Sequence, residues 1–143
     1  MFGRGEQSLR AAVEAAGQAK ILGVSLLTSM PDKDAEEIYI GQKSSVIWRL
    51  LQLAKAVGVP GVVCSVKELE HIVSEAHSQA VTVVPGIRGP GDDKGDQVHT
   101  AEPNDPRLTK ASFVVIGRPI TRAPNPREAA ERIKSLLPNT ASS

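Results

Sequence analysis

Cysteine is nearly missing from this sequence: Cys64 stands alone among 143 residues. A single thiol excludes an intrachain disulfide framework and a cysteine-based zinc site. It fits a reducing compartment, so a cytoplasmic location is expected. Aromatic residues make up only 3%, which leaves no stacking platform for single-stranded nucleic acid. An excess of one charge is also lacking. The 17 Lys and Arg against 16 Asp and Glu give a net charge of +1, too little for a basic nucleic-acid footprint. No apolar run approaches the ~18 residues of a membrane helix, and Met1-Phe2-Gly3-Arg4-Gly5-Glu6 lacks a signal peptide's apolar core. Neither Gly-x-Ser-x-Gly nor Gly-Lys-Ser/Thr occurs, so a hydrolase elbow and a nucleotide P-loop have no support. Neither nucleic acid nor a membrane is therefore expected as a partner.

What is present is an ordinary hydrophobic fraction, 41%, on a chain long enough for one domain with a real core. Residues 8–19 are alanine-rich with apolar positions at helical spacing, and residues 21–27 read as a buried strand. Pro31-Asp32-Lys33-Asp34 reads as a turn or the opening of a short helix. Residues 45–57 form a helix with Val46, Leu50, Leu53 and Val57 on one face, closed by Gly58. Residues 61–64 form a second strand. Ser65 and Glu68 then carry the spacing of a capping box for the helix that follows. Residues 80–84 and 113–116 are further strands, separated by a long Gly-, Pro- and Asp-rich loop over 86–106. Asn125, Pro126 and Glu128 open a final helix as N-cap, N1 and N3. Residues 1–137 thus read as one domain and 138–143 as a polar tail. Alternation of this kind predicts an α/β fold with a parallel sheet, whose carboxyl edge binds ligands. Four strands are too few for a closed eight-stranded barrel.

Two strand exits stand out. Val83-Val84-Pro85-Gly86-Ile87-Arg88 and Val114-Val115-Ile116-Gly117-Arg118 each run from buried-strand residues into a glycine and an arginine. Glycine lets a ligand approach the backbone, and the guanidinium fork suits phosphate. The plainer reading of either arginine is a surface side chain after a strand. Thr28 and Ser29 could serve only as hydroxyls that satisfy a strand end. His71 and His77, six residues apart, do not share a helix face, and His99 and the Asp92, Asp93, Asp96 cluster read as solvated, so no metal site is expected. Cys64 and Trp48 read as core residues.

Leu26-Leu27-Thr28-Ser29-Met30, Pro85-Gly86-Ile87-Arg88, Gly95-Asp96-Gln97 and Gly117-Arg118-Pro119-Ile120-Thr121 resemble, in order and spacing, the orotidine 5'-phosphate decarboxylase family. The similarity is to the second half of that family's barrel, and Gly3-Arg4-Gly5 is similar to the loop after its fourth strand. The resemblance implies a parallel β/α barrel of the ribulose-phosphate-binding type, here a partial barrel of about four β/α units. It implies a carboxy-lyase of pyrimidine biosynthesis that converts orotidine monophosphate to UMP and CO2 without metal or organic cofactor. It assigns Thr28 and Ser29 to the nucleotide near the pyrimidine and Pro85 to the pocket wall. Arg88 and Gln97 fall on a closing loop, and Gly117 and Arg118 at the 5'-phosphate.

The resemblance also implies departures. The family's Asp-x-Lys-x-x-x-Asp proton-transfer array has no counterpart in this sequence, so no catalytic residue is assigned and the chain alone is expected to be inactive. Pro103 and Pro106 fall where the family has a regular helix, and proline inside a helix costs ~3 kcal/mol, so a shortened helix is expected. Val98-His99 replaces the family's usual Lys-Arg. The alternative function is a non-catalytic phosphate-binding or assembly module, since a half barrel exposes two strand edges. A homodimer or a complementing half barrel would then be the partner. A sugar-phosphate decarboxylase or synthase on a related barrel is a third reading.

Overall fold

The computed structural model describes residues 5–26, 33–34, 37, 42–76, 79–89 and 100–138. Helix α1 spans Gly5–Ala15 and strand β1 Leu22–Val24. Helix α2 spans Lys43–Ala56, β2 Gly61–Val63 and α3 Val66–His71, which continues into a π turn over Ile72–Ala76. Strand β3 is Val81–Val84. A 3₁₀ turn, Pro106–Lys110, precedes β4, Phe113–Val114. The one-turn helix α4 (Arg118–Thr121) and helix α5, Pro126–Leu136, complete the order.

The four strands form one parallel sheet in sequential order. Val24 pairs with Val63, Val63 with Val83, and Val83 with Phe113. The same register puts Leu22 beside Gly61 and Gly61 beside Val81. Gly61 is required there: a Cβ would come 2.7 Å from the Val81 carbonyl oxygen and 2.5 Å from Leu22 Cδ2.

Alternate strand residues face the helices and bury the core. Val62, Cys64 and Val84 pack with Ile47, Leu51, Leu69 and Ile72. A second cluster sets Leu9 of α1 on Ala54, Val57 and Val59, so α1 lies against α2. Thr82 ties β3 to the approach of β4. Its hydroxyl accepts from Ser112 N–H at 2.9 Å, and its own N–H donates to Ser112 Oγ at 3.1 Å.

Several expectations shift on contact with the structure. The strands are shorter than the apolar runs, because backbone pairing ends where the chain turns into the carboxyl-edge loops. The buried face of α2 is Val46, Ile47, Leu51 and Ala54, with Leu50 and Leu53 only partly covered, because the helix is gripped by both the sheet and α1. Trp48 is not core: it is 38% exposed, on the outer side of α2, its ring 5.6 Å from that of His71. The loop over 86–106 is not structureless where it is described, since Ile87 and Ala101 form a parallel bridge. The helix shortened by proline is the 3₁₀ turn after Asp105, whose carboxylate accepts from Arg107 N–H at 3.0 Å. The capping of α5 follows the sequence reading, with Asn125 Oδ1 accepting from Glu128 N–H. His77, His99 and the Asp92, Asp93, Asp96 cluster lie outside the described residues.

Candidate anion-binding site at the carboxyl edge

Strands β3 and β4 are parallel neighbours, with Val84 paired to Val114. Arg88 and Arg118 each follow their paired valine by four residues. Both arginine-bearing exits therefore leave the same edge of the sheet from strands ~4.8 Å apart. The ladder extends to that edge, where Val115 N–H donates to the Val84 carbonyl at 2.9 Å.

The two exits are built differently. Gly86 turns the chain out of β3 with φ 83°, a conformation open to glycine. Gly86 and Arg88 then clasp residue 101: Arg88 N–H donates to the Ala101 carbonyl at 2.9 Å, and Ala101 N–H to the Gly86 carbonyl at 3.2 Å. This clasp buries the Arg88 side chain to 8% exposure, so Arg88 sits on a paired segment and not on a loop tip. Its Nη1 donates to the Ile87 carbonyl at 2.7 Å. Its Nε, buried, has no hydrogen-bond partner, and no ion pair to Arg88 occurs among the described residues. A buried cation without a counter-charge costs several kcal/mol, so the site favours an incoming anion.

After β4 the chain enters α4 instead of a plain turn. Gly117 is its N-cap and Arg118 its first residue, followed by Pro119. Gly117 is exposed, and a Cβ there would meet nothing within 4 Å, so its backbone is open to approach. Arg118 is half-buried, as is Pro85. Thr28, Ser29 and Gln97 lie outside the described residues. The structure thus brings four of the seven expected residues, Pro85, Arg88, Gly117 and Arg118, to one edge.

A second polar cluster lies at the exits of β1 and β2, and the sequence reading saw only half of it. Glu68 Oε2 accepts from Ser65 N–H at 3.1 Å, as the capping spacing predicts. It also accepts from Ser25 Oγ at 2.8 Å, 43 residues away in the chain. Ser65 Oγ is buried and makes no hydrogen bond of good geometry. The signal for the cap was the Ser-x-x-Glu spacing; nothing local marked Ser25 as its long-range partner. Cys64 beside this cluster is buried, and its thiol is pushed up to about 12, first by desolvation and then by the Glu68 charge. It is an inert core thiol.

Among the described residues no helix is long and apolar enough to cross a membrane. No group of three His, Cys, Asp or Glu side chains among them is placed to hold a metal ion.

Known proteins resemble this chain in sequence and fold. Residues 3–133 match the family described as orotidine 5'-phosphate decarboxylase / HUMPS. The orotidine 5'-phosphate decarboxylase of Erythrobacter litoralis is 38% identical over 135 residues, which is 93% of this chain and 60% of that protein. That of Rhodopseudomonas palustris is 42% identical over 131 residues, 89% of this chain and 55% of its own. The crystal structure of the Lactobacillus acidophilus orotidine 5'-phosphate decarboxylase superposes with a TM-score of 0.74 at 27% identity, covering 94% of this chain and 60% of that one. The chain therefore spans 55–60% of the length of these relatives. Four parallel strands with outer helices, arranged as in these barrel proteins, and a match over almost the whole sequence establish that the chain belongs to the orotidine 5'-phosphate decarboxylase / HUMPS family.

Proposed function

We propose that this chain is the phosphate-grasping part of an orotidine 5'-phosphate decarboxylase, acting in the cytoplasm in pyrimidine synthesis, with residues 1–137 as the carboxyl-terminal half of the barrel. The supporting observation is the buried Arg88 guanidinium with its unpartnered Nε, at the same edge as the open Gly117 backbone and Arg118. A phosphate monoester supplies two charges and three acceptors. Paired guanidinium forks bind such a group with short, charge-assisted bonds. Anchoring the phosphate holds the pyrimidine at a fixed distance, and binding energy from this remote group is then available to position the carboxylate that leaves. In this reading Thr28, Ser29 and Gln97 contact the nucleotide further along, and Pro85 lines the wall.

The decarboxylation breaks the bond between the pyrimidine ring and its carboxylate, releases CO2 and places a proton on the ring carbon. These 143 residues hold no Asp-x-Lys-x-x-x-Asp array for that proton, so in this reading the acid-base groups are supplied by the other half of the barrel. The test is a spectroscopic decarboxylation assay on the purified chain. No turnover is expected, together with measurable UMP binding; turnover at the rate of a complete enzyme refutes the division of labour.

A second reading, a non-catalytic phosphate-binding or assembly module, is favoured by one observation: Phe113 on β4 and Val115 just after it are 63% and 49% exposed. The chain binding inorganic phosphate as tightly as UMP would select it.

A further inference from the structure

Three buried polar side chains meet where β1 and β2 leave the sheet, and phosphate binding at β3 and β4 makes no use of them. Ser25, Ser65 and Glu68 are all buried. Glu68 Oε2 joins the two exits by accepting from Ser25 Oγ and from Ser65 N–H. A capping box needs only the second of these bonds, and an exposed glutamate can supply it. Burying a carboxylate is costly, and apolar packing would hold two strand exits together without that cost. What Glu68 adds is directed bonding, which fixes one arrangement of the groups it joins. The β1 exit is pinned on every side. Ser25 N–H donates to the Val63 carbonyl at 3.1 Å, Ser25 Oγ to Glu68 at 2.8 Å, and the next residue, Leu26, is buried in the main core. The same edge continues in register, with Cys64 N–H donating to the Val83 carbonyl at 3.1 Å and Val115 N–H to the Val84 carbonyl at 2.9 Å. The edge that Glu68 organises is therefore continuous with the edge that carries Arg88 and Arg118. At ~4.8 Å per strand, the Ser25 exit lies roughly 10–14 Å from the two arginine-bearing exits.

We infer that Glu68 is a positioning residue for the nucleoside end of the ligand. Through Ser25 it sets the course of the chain out of β1 and so governs how tightly the base is held, while it is too buried to meet the ligand itself. The inference rests on the proposed function, in which the phosphate sits at the exits of β3 and β4 and Thr28 and Ser29 meet the nucleotide further along. Ligands of parallel α/β folds lie along the carboxyl edge, so a nucleotide anchored at Arg88 and Arg118 extends past β2 toward β1. Thr28 follows Ser25 by three residues, and an error in the direction of the exit is carried to it. A binding group held loosely by its supporting bonds loses affinity although it is still present. Phosphate binding does not pass through this tie, because Arg88 is held by its own clasp to Ala101 and Gly117 and Arg118 by the start of α4.

The test is calorimetric titration of the full chain with UMP and with ribose 5-phosphate, which keeps the phosphate and sugar but lacks the base. Glu68→Ala should weaken UMP binding about tenfold and ribose 5-phosphate binding less than about twofold, as expected when a remote change misplaces one contact segment only. Ser25→Ala removes the donor and leaves the cap of α3 in place. It should act in the same direction, and it decides the matter where Glu68→Ala fails to fold. Glu68→Gln retains an acceptor and should restore most of the UMP affinity. A purely structural tie would move both ligands or neither. Parallel weakening of the two, or unchanged UMP affinity in folded Ser25→Ala, therefore overturns the inference. An unsubstituted chain that binds both ligands equally overturns it as well and leaves the phosphate site standing. One that binds neither overturns the proposed function, and the inference with it.

Discussion

Replacing Glu68 by Ala removes the acceptor that joins the exits of β1 and β2. Glu68 is 9% exposed, and its carboxylate accepts from Ser25 Oγ at 2.8 Å and from Ser65 N–H at 3.1 Å. Hydrogen bonds to a charged group contribute ~1.5–3 kcal/mol each, and the substitution leaves a buried hydroxyl and a buried amide without that partner. Relief of the carboxylate's own desolvation offsets part of this. The expected net loss is about 2–4 kcal/mol, a large share of the ~7–20 kcal/mol typical for a domain of this length. Near ~3 °C per kcal/mol, the melting temperature should fall by about 6–12 °C. Glu68→Gln keeps an acceptor and should lose about 1 kcal/mol. The assay is urea unfolding at constant m-value, run as a double-mutant cycle with Ser25→Ala, whose coupling should exceed ~1 kcal/mol. A loss below ~0.5 kcal/mol for Glu68→Ala, or coupling near zero, would refute the reasoning.

Other consequences follow from single residues. Gly61→Ala drives a methyl against the Val81 carbonyl and should cost about 1–3 kcal/mol in thermal unfolding; an unchanged melt would show that β2 and β3 can separate freely. Cys64, with its thiol near 12 and fully buried, should resist iodoacetamide at pH 8 until the chain unfolds, so labelling at a free-thiol rate would contradict its placement. Asp105 is held below the ordinary carboxylate range chiefly by its side-chain bonds from Arg107. Its folded value lies under its unfolded one, so its contribution is complete above pH ~4 and fades as pH falls through the lowered value. Asp105→Asn should flatten that acid limb of the stability curve, and an unaltered limb would exclude the pair as its source.

Much of the fold was legible because burial and period coincide. The runs around Val62, Val83 and Val114 are apolar on successive residues, as strands covered by helices must be, and Asn125-Pro126 carries its cap in the sequence. What escaped was set by tertiary neighbours. The buried stripe on α2 was rotated because α1 packs on one flank, which local spacing does not encode. Trp48 was read as core from its residue type, yet its place beside Ile47 turns it outward. The Ile87–Ala101 bridge joins residues separated by a Gly-, Pro- and Asp-rich stretch that reads as loop. In the candidate site, the glycine-arginine exits were legible as motifs. That Arg88 would be buried and Arg118 would open a helix was not, because both depend on what the turn meets. Ser25 as a partner for Glu68 required the β1–β2 register.

The central claim is that the exits of β3 and β4 together hold a phosphate, and calorimetric titration with UMP and with uridine tests it most directly. The chain should bind UMP at least tenfold more tightly than uridine, a gap of ~1.4 kcal/mol or more. Arg88→Met and Arg118→Met should each close most of that gap while leaving uridine binding unchanged. Equal affinity for the two ligands, or a phosphate preference that survives both substitutions, would contradict the account.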